Sequence, residues 1–220
     1  MCFSATVSLT AAASLFLLGI GTIRQTSSKR EVLLGSFPCL FALQQSLEGL
    51  VWTGINDNSL NQLMMVGTYG FLLFATFMWL VLSPLSIYFL EKDKNKKQFL
   101  SVLTILGFLL GFYLFTWTIY HGIEPQVFSG NIFYDLRFIP FFEVCKYIYL
   151  SIIVLPFFIK QSKLLKCFAS LIIISFIISQ LFFKITLVSV WCFFAALLSG
   201  FLSLIMKHLS SEEEAIKPSI

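Results

Sequence analysis

The stretch FPCLFALQQSLEGLVWTG, residues 37–54, decides how the chain is read. Its apolar residues suit a helix in a bilayer, yet Gln44, Gln45 and Glu48 stand in its middle. At about 100° per residue, Phe41, Gln44, Gln45, Glu48 and Trp52 fall on one stripe. An ionisable group at that depth costs roughly 2.5–3.5 kcal/mol on insertion scales, so it requires a partner or a water-filled cavity. The stretch predicts a membrane helix whose polar stripe faces a protein interior.

The rest of the chain agrees. Of its 220 residues 58% are hydrophobic and 12% charged, where a soluble domain carries about 25% charged residues. Crossing a bilayer takes about 20 apolar residues. Seven runs qualify, at residues 5–23, 32–55, 60–90, 99–120, 138–159, 164–183 and 185–206. The expected fold is all-α, an integral membrane bundle of seven transmembrane helices over residues 1–209, with a solvated tail at 210–220. The long third run contains Pro84 and is expected to tilt or kink there. Pro140 reads as the N-terminal proline of the fifth helix, and Pro156 as a bend near its far end. The first run has no basic segment before it, and Arg24 follows it, so it is expected to be retained rather than cleaved.

Charge sets the expected orientation. Twelve of the fifteen Lys and Arg residues lie between runs one and two, three and four, five and six, or after run seven. The opposite loops hold Arg137 and Lys184, and Lys146 lies inside the fifth run. The positive-inside rule then puts the N-terminus outside and the C-terminus in the cytoplasm. The net charge of +4 is thereby accounted for. With no basic groove and no binding motif, no nucleic-acid partner is expected; the lipid bilayer is the expected partner.

Orientation gives each polar residue a depth. Glu48 and Trp52 fall in the outer half of run two, and Glu143, Lys146 and Tyr147 share an outer face of run five. Tyr113, Thr116, Trp117, Tyr120 and His121 end run four, and Asn61, Gln62, Met64, Met65 and Tyr69 open run three. A polar pocket opening to the outside is expected. Gln44, Gln45, Glu48, Trp52, Tyr69, Tyr113, Trp117, Glu143, Lys146 and Tyr147 would bind a small-molecule or ion ligand there. A packing ion pair among Glu48, Glu143 and Lys146 is the alternative, although intramembrane ionisable groups favour function. Trp52, Trp117, Tyr120 and Tyr134 also suit interfacial anchoring, and Trp79 suits core packing. The long outer loop GIEPQVFSGNIFYDL, residues 122–136, either sits at the interface or folds back as a lid.

No GxSxG, HExxH or Walker A motif appears. His121 and His208 alone disfavour a His-rich zinc hydrolase. The sequence names no cofactor. A small-solute or ion transporter, with proton coupling through Glu48 as one form, or a binding protein using the same pocket, is expected. The alternative is a membrane enzyme acting on a lipid or quinone-like substrate from the outer leaflet. It would use Glu48 or Glu143 as general base and Cys2 as nucleophile. The five cysteines are odd in number and form no CxxC; four sit in apolar runs as small hydrophobes. Cys2 differs. It either packs against the outer ends of runs two and three or, if Met1 is removed, offers its thiolate and the new amine as a chelate for a soft metal, with His121, Met64, Met65 and Glu48 as further donors. Cys2 and His121 are the candidate metal ligands.

The start Met1-Cys2-Phe3-Ser4-Ala5, together with Gln44-Gln45, Glu48-Gly49 and Trp52, resembles an uncharacterised family of bacterial multipass membrane proteins that begin Met-Cys-Phe-Ser-Ala. The resemblance implies no activity. It implies a bacterial inner (cytoplasmic) membrane and a purpose for Cys2.

Overall fold

The structure, a computed structural model, describes residues 4–208. Its first helix, α1 (Ala5–Arg24), is capped by the Ser4 hydroxyl, which accepts from the Val7 amide at 3.4 Å. The run expected from residue 32 is broken. Val32–Gly35 makes one separate turn, and α2 (Phe37–Asn56) comes after Ser36. Pro38 favours the break, because it has no N–H to donate to the Leu34 carbonyl.

The next helix, α3 (Asn61–Leu90), is continuous and contains a π turn at Phe74–Met78. The irregularity expected at Pro84 thus lies roughly two to three turns earlier, and the helix runs on through the proline. A π turn inserts one residue and so rotates the second half of the helix relative to the first; Trp79 is the first residue after it. The fourth helix, α4 (Lys94–His121), begins earlier than expected. The Asp93 carboxylate caps it by accepting from the Lys96 amide at 2.9 Å, so Lys94, Lys96 and Lys97 are helical rather than loop residues. Then come α5 (Phe142–Ile159), α6 (Lys163–Phe182) and α7 (Leu187–His208). Pro140 does not open α5. It lies in the turn before Phe141, whose φ of 57° is left-handed, and the helix starts after it.

Six of these seven helices are long and apolar enough to cross a membrane. The seventh, α2, carries the polar stripe, and its environment explains how that is tolerated. Eleven of its twenty residues are buried, because α1, α3 and α7 pack around it. Helix α4 shows the opposite arrangement. Leu100, Leu103, Gly107, Gly111, Leu114 and Thr118 form one buried stripe, while Ile105, Phe108, Leu109 and Phe112 face outward as lipid contacts would.

The α3–α4 contact uses two glycines of α4, Gly111 against Phe77 and Gly107 against Leu80. Pro84 leaves the Leu80 carbonyl oxygen without its usual helical donor, and Gly107 of α4 packs directly on that oxygen. A Cβ at residue 107 would overlap it. Gly107→Ala is expected to lower the stability in detergent by about 1–3 kcal/mol, the usual cost of overpacking. An unchanged denaturation midpoint would show that the helices do not meet there.

Between α4 and α5 the chain departs from the all-helical expectation. Strands β1 (Gln126–Phe128) and β2 (Asn131–Phe133) form an antiparallel hairpin, with Phe128 opposite Asn131. Its two-residue turn is Ser129 (φ 49°) and Gly130 (φ 76°), the double positive φ that matches the twist of a tight hairpin. The hairpin folds back onto the bundle. Ile132, Tyr134, Leu136 and Ile139 are buried, and β2 packs against α7.

Candidate functional site

The stripe on α2 meets two other helices. The Trp79 indole N–H donates to Gln44 Oε1 at 2.8 Å, and Phe41 stacks on the same indole with ring centroids 3.9 Å apart. One turn further on, the Ser189 hydroxyl of α7 donates to Glu48 Oε1 at 2.5 Å. Gln45 is fully buried beside Glu48 and its amide faces that carboxyl, yet neither its nitrogen nor its oxygen makes a well-formed hydrogen bond. Gln44 Nε2, which faces Cys192, and the buried Trp52 Nε1 and Tyr134 Oη likewise make no well-formed hydrogen bond. Each such group costs about 1–3 kcal/mol if left unpaired, and their concentration around one carboxyl needs an explanation.

The hairpin segment covers this cluster. Tyr134 stacks on Phe71 of α3, centroids 5.0 Å apart, and lies within reach of the Glu48 charge. Burial, with that carboxyl second, pushes the Tyr134 phenol well above its ordinary value. It therefore remains a hydroxyl with a proton to donate.

Lys146, Glu143 and Tyr147 are not part of the Glu48 cluster. Lys146 donates to Glu143 Oε2 at 2.7 Å, one turn apart on α5, and its ammonium lies 5.2 Å from the Tyr147 ring. The Lys146 side chain is 7% exposed and that of Glu143 65%, so the pair reaches from the interior to the surface. It borders a chamber of about 130 Å³ that also touches Tyr134, Arg137 and Lys184. A second chamber of about 60 Å³ shares Lys146, Leu187 and Val188 with the first. A third, of about 50 Å³, shares Tyr149, Trp191 and Cys192 with the second and is walled by aromatic rings. The single expected pocket is instead a buried polar cluster beside a file of small chambers.

The remaining candidates sit elsewhere. Tyr113 donates to the Pro140 carbonyl at 2.9 Å, and its ring meets Trp117 edge-on; both brace the turn into α5. Tyr69 accepts from the Ile123 amide at 3.4 Å and borders a surface cleft with His121 and Met65. The His121 ring is exposed and stacks on Phe138, centroids 4.1 Å apart. Glu48 is buried and does not border that cleft. Cys2 lies outside the described residues. Among the described residues no group of three or more His, Cys, Asp or Glu side chains is placed to hold a metal.

Four contributors escaped the sequence reading. Ser189 and Cys192 lie in an apolar run, Trp79 reads as packing and Tyr134 as an interfacial anchor. A serine and a cysteine three residues apart around Trp191 were the available signal.

The hairpin's exit carries a titratable clasp. Arg137 binds the Asp135 carboxylate through two nitrogens, at 2.9 and 2.7 Å. The guanidinium holds the Asp135 carboxyl below its ordinary value. A lowered carboxyl contributes stability above its unfolded value, about 3.9, and loses it as pH falls through the lowered one. Amide protection in residues 122–141, taken relative to intrinsic exchange at each pH, is expected to drop as pH falls below about 4, with the step absent from Asp135→Asn. Identical profiles for both proteins would assign the clasp no role.

No curated protein and no solved structure matches the chain. Residues 1–217, nearly the whole chain and both stretches that carry the resemblance, match the profile of a family described as a family of unknown function (DUF6629). The chain is a member of that family, a multipass, helical, membrane-spanning protein.

Proposed function

We propose that this protein binds a small polar solute or ion at Glu48 and carries it across the membrane, exchanging a proton at that carboxyl. The observation that supports this reading is the group of buried polar atoms around Glu48, from Gln44, Gln45 and Tyr134, that make no well-formed hydrogen bond. A polar guest would complete their hydrogen bonds; an interior built only for packing has its polar groups paired. Among the described residues no charged side chain bonds to Glu48. Tyr134 of the hairpin and Cys192 of α7 are the titratable groups that feel its charge, and Gln45 and Ser189 are its polar neighbours. The tucked hairpin suits a closed form, in which Tyr134 separates the cluster from the chamber beside Lys146. The charge bias supports an N-terminus outside and the hairpin facing outward. With the motif at residues 1–5 it supports a bacterial inner membrane.

The test is reconstitution into liposomes holding a pH-sensitive dye, with candidate solutes chosen by mass spectrometry of what co-purifies. Proton uptake that follows solute addition in native protein and is lost in Glu48→Gln supports the reading. It is overturned if no solute moves and Glu48→Gln alters neither ligand binding nor proton uptake.

A further inference from the structure

We infer that the chamber beside Lys146 takes the carboxylate of a small organic acid with an apolar body. This is a second site beside the Glu48 cluster, and it goes beyond the transport reading above. Lys146 is the anchor. Its side chain is 7% exposed, and its ammonium donates to Glu143 and lies near the Tyr147 ring, leaving N–H donors for a ligand. Charge-assisted bonds to a carboxylate are the strong ones, and a buried ammonium has little competing water. Lys184 and Arg137 add positive charge to the chamber against Glu143 alone. Arg137 is already engaged by Asp135, so Lys184 is the second attracting group.

The walls decide the rest of the ligand. Leu136, Phe142, Leu187 and Val188 border both the charged chamber and the one behind it. An acid whose head rests on Lys146 therefore has its body among aliphatic and aromatic side chains. The volumes limit that body. An engineered cavity of roughly 150 Å³ holds benzene, and the two adjoining chambers measure about 130 and 60 Å³. A ring or short branched chain fits, and a long acyl chain does not. A fatty acid shares the carboxylate chemistry and is separated by size.

Binding is measured by titration calorimetry on the full protein in detergent, with benzoate as the probe. Benzoate is expected to bind at least tenfold more tightly than benzamide, which lacks the charge, and than acetate, which lacks the body. Lys146→Met should weaken benzoate at least tenfold, and Lys146→Arg should retain part of the affinity. Val188→Phe fills the wall shared by the two chambers without touching a charge, and should weaken benzoate as strongly. It decides the matter if Lys146→Met fails to fold. No benzoate binding, or affinity unchanged by Val188→Phe, overturns the inference. Tighter binding of laurate than of benzoate overturns the small-acid assignment in favour of a lipid. If benzoate fails while Glu48-dependent proton uptake with another solute survives, only this inference falls. If benzoate binds through Lys146 and no proton moves, the site stands and the transport reading falls.

Discussion

In Glu48→Gln, solute-linked proton uptake is expected to fall to the background of protein-free liposomes while the bundle stays folded. Glutamine matches glutamate in size and keeps an oxygen that can accept from Ser189, whose hydroxyl donates to Glu48 Oε1. It has no carboxyl proton to exchange. Hydrogen bonds between membrane helices average about 0.6 kcal/mol and reach about 2. Retaining this one should hold the stability change within about 1 kcal/mol. Ser189→Ala provides the contrast. It removes the donor and leaves the carboxyl in place, so proton uptake should persist at a reduced rate while stability drops by about 1 kcal/mol. Proton uptake in Glu48→Gln equal to that of native protein would rule out this carboxyl as the exchanging group.

Trp79→Ala is expected to produce the largest loss of stability, about 3–5 kcal/mol, the usual cost of removing a buried aromatic side chain. Trp79 is buried under Phe41, stacked at 3.9 Å, and Phe37, edge-on at 5.3 Å. Its indole N–H is the partner of Gln44 Oε1. Trp79→Phe separates these contributions, because it keeps a ring and deletes the donor. Leaving the Gln44 oxygen buried and unpaired should cost about 1–3 kcal/mol. In a Gln44→Leu background that oxygen is gone, so Trp79→Phe should cost measurably less there. Denaturation midpoints of the four proteins in mixed micelles give the coupling. Purely additive costs would mean that the bond across α2 and α3 holds nothing together.

Local spacing made part of the site legible. Gln44, Gln45 and Glu48 could be assigned to one face because they share a helical repeat. Glu143 and Lys146 could be paired because they stand three residues apart on a helix. Ser189 could not be matched to Glu48 in the same way. The two are 141 positions apart in the chain, and nothing in an apolar run says which neighbour its serine will face. The hairpin left a readable trace in Ser129-Gly130, a two-residue turn with Val127 and Phe128 before it and Ile132 and Phe133 just beyond Asn131. That trace stood inside a loop expected to be irregular, so its strands went unread.

Composition and run length alone determined that the chain is a membrane-spanning helical bundle, because bilayer thickness sets the length of each apolar segment. They also required the polar stripe of α2 to be enclosed, since lipid offers no partner to a glutamine or a carboxyl. Only the tertiary structure decided what encloses it. Contacts between helices distant in sequence separated Glu48 from Lys146, giving one a serine from α7 and the other a carboxylate from its own helix. The segment after the hairpin brought Tyr134, buried, within reach of Glu48. Helical periodicity places residues on a face; which face meets which depends on how side chains of seven helices fill one interior, and that is a property of the packed bundle.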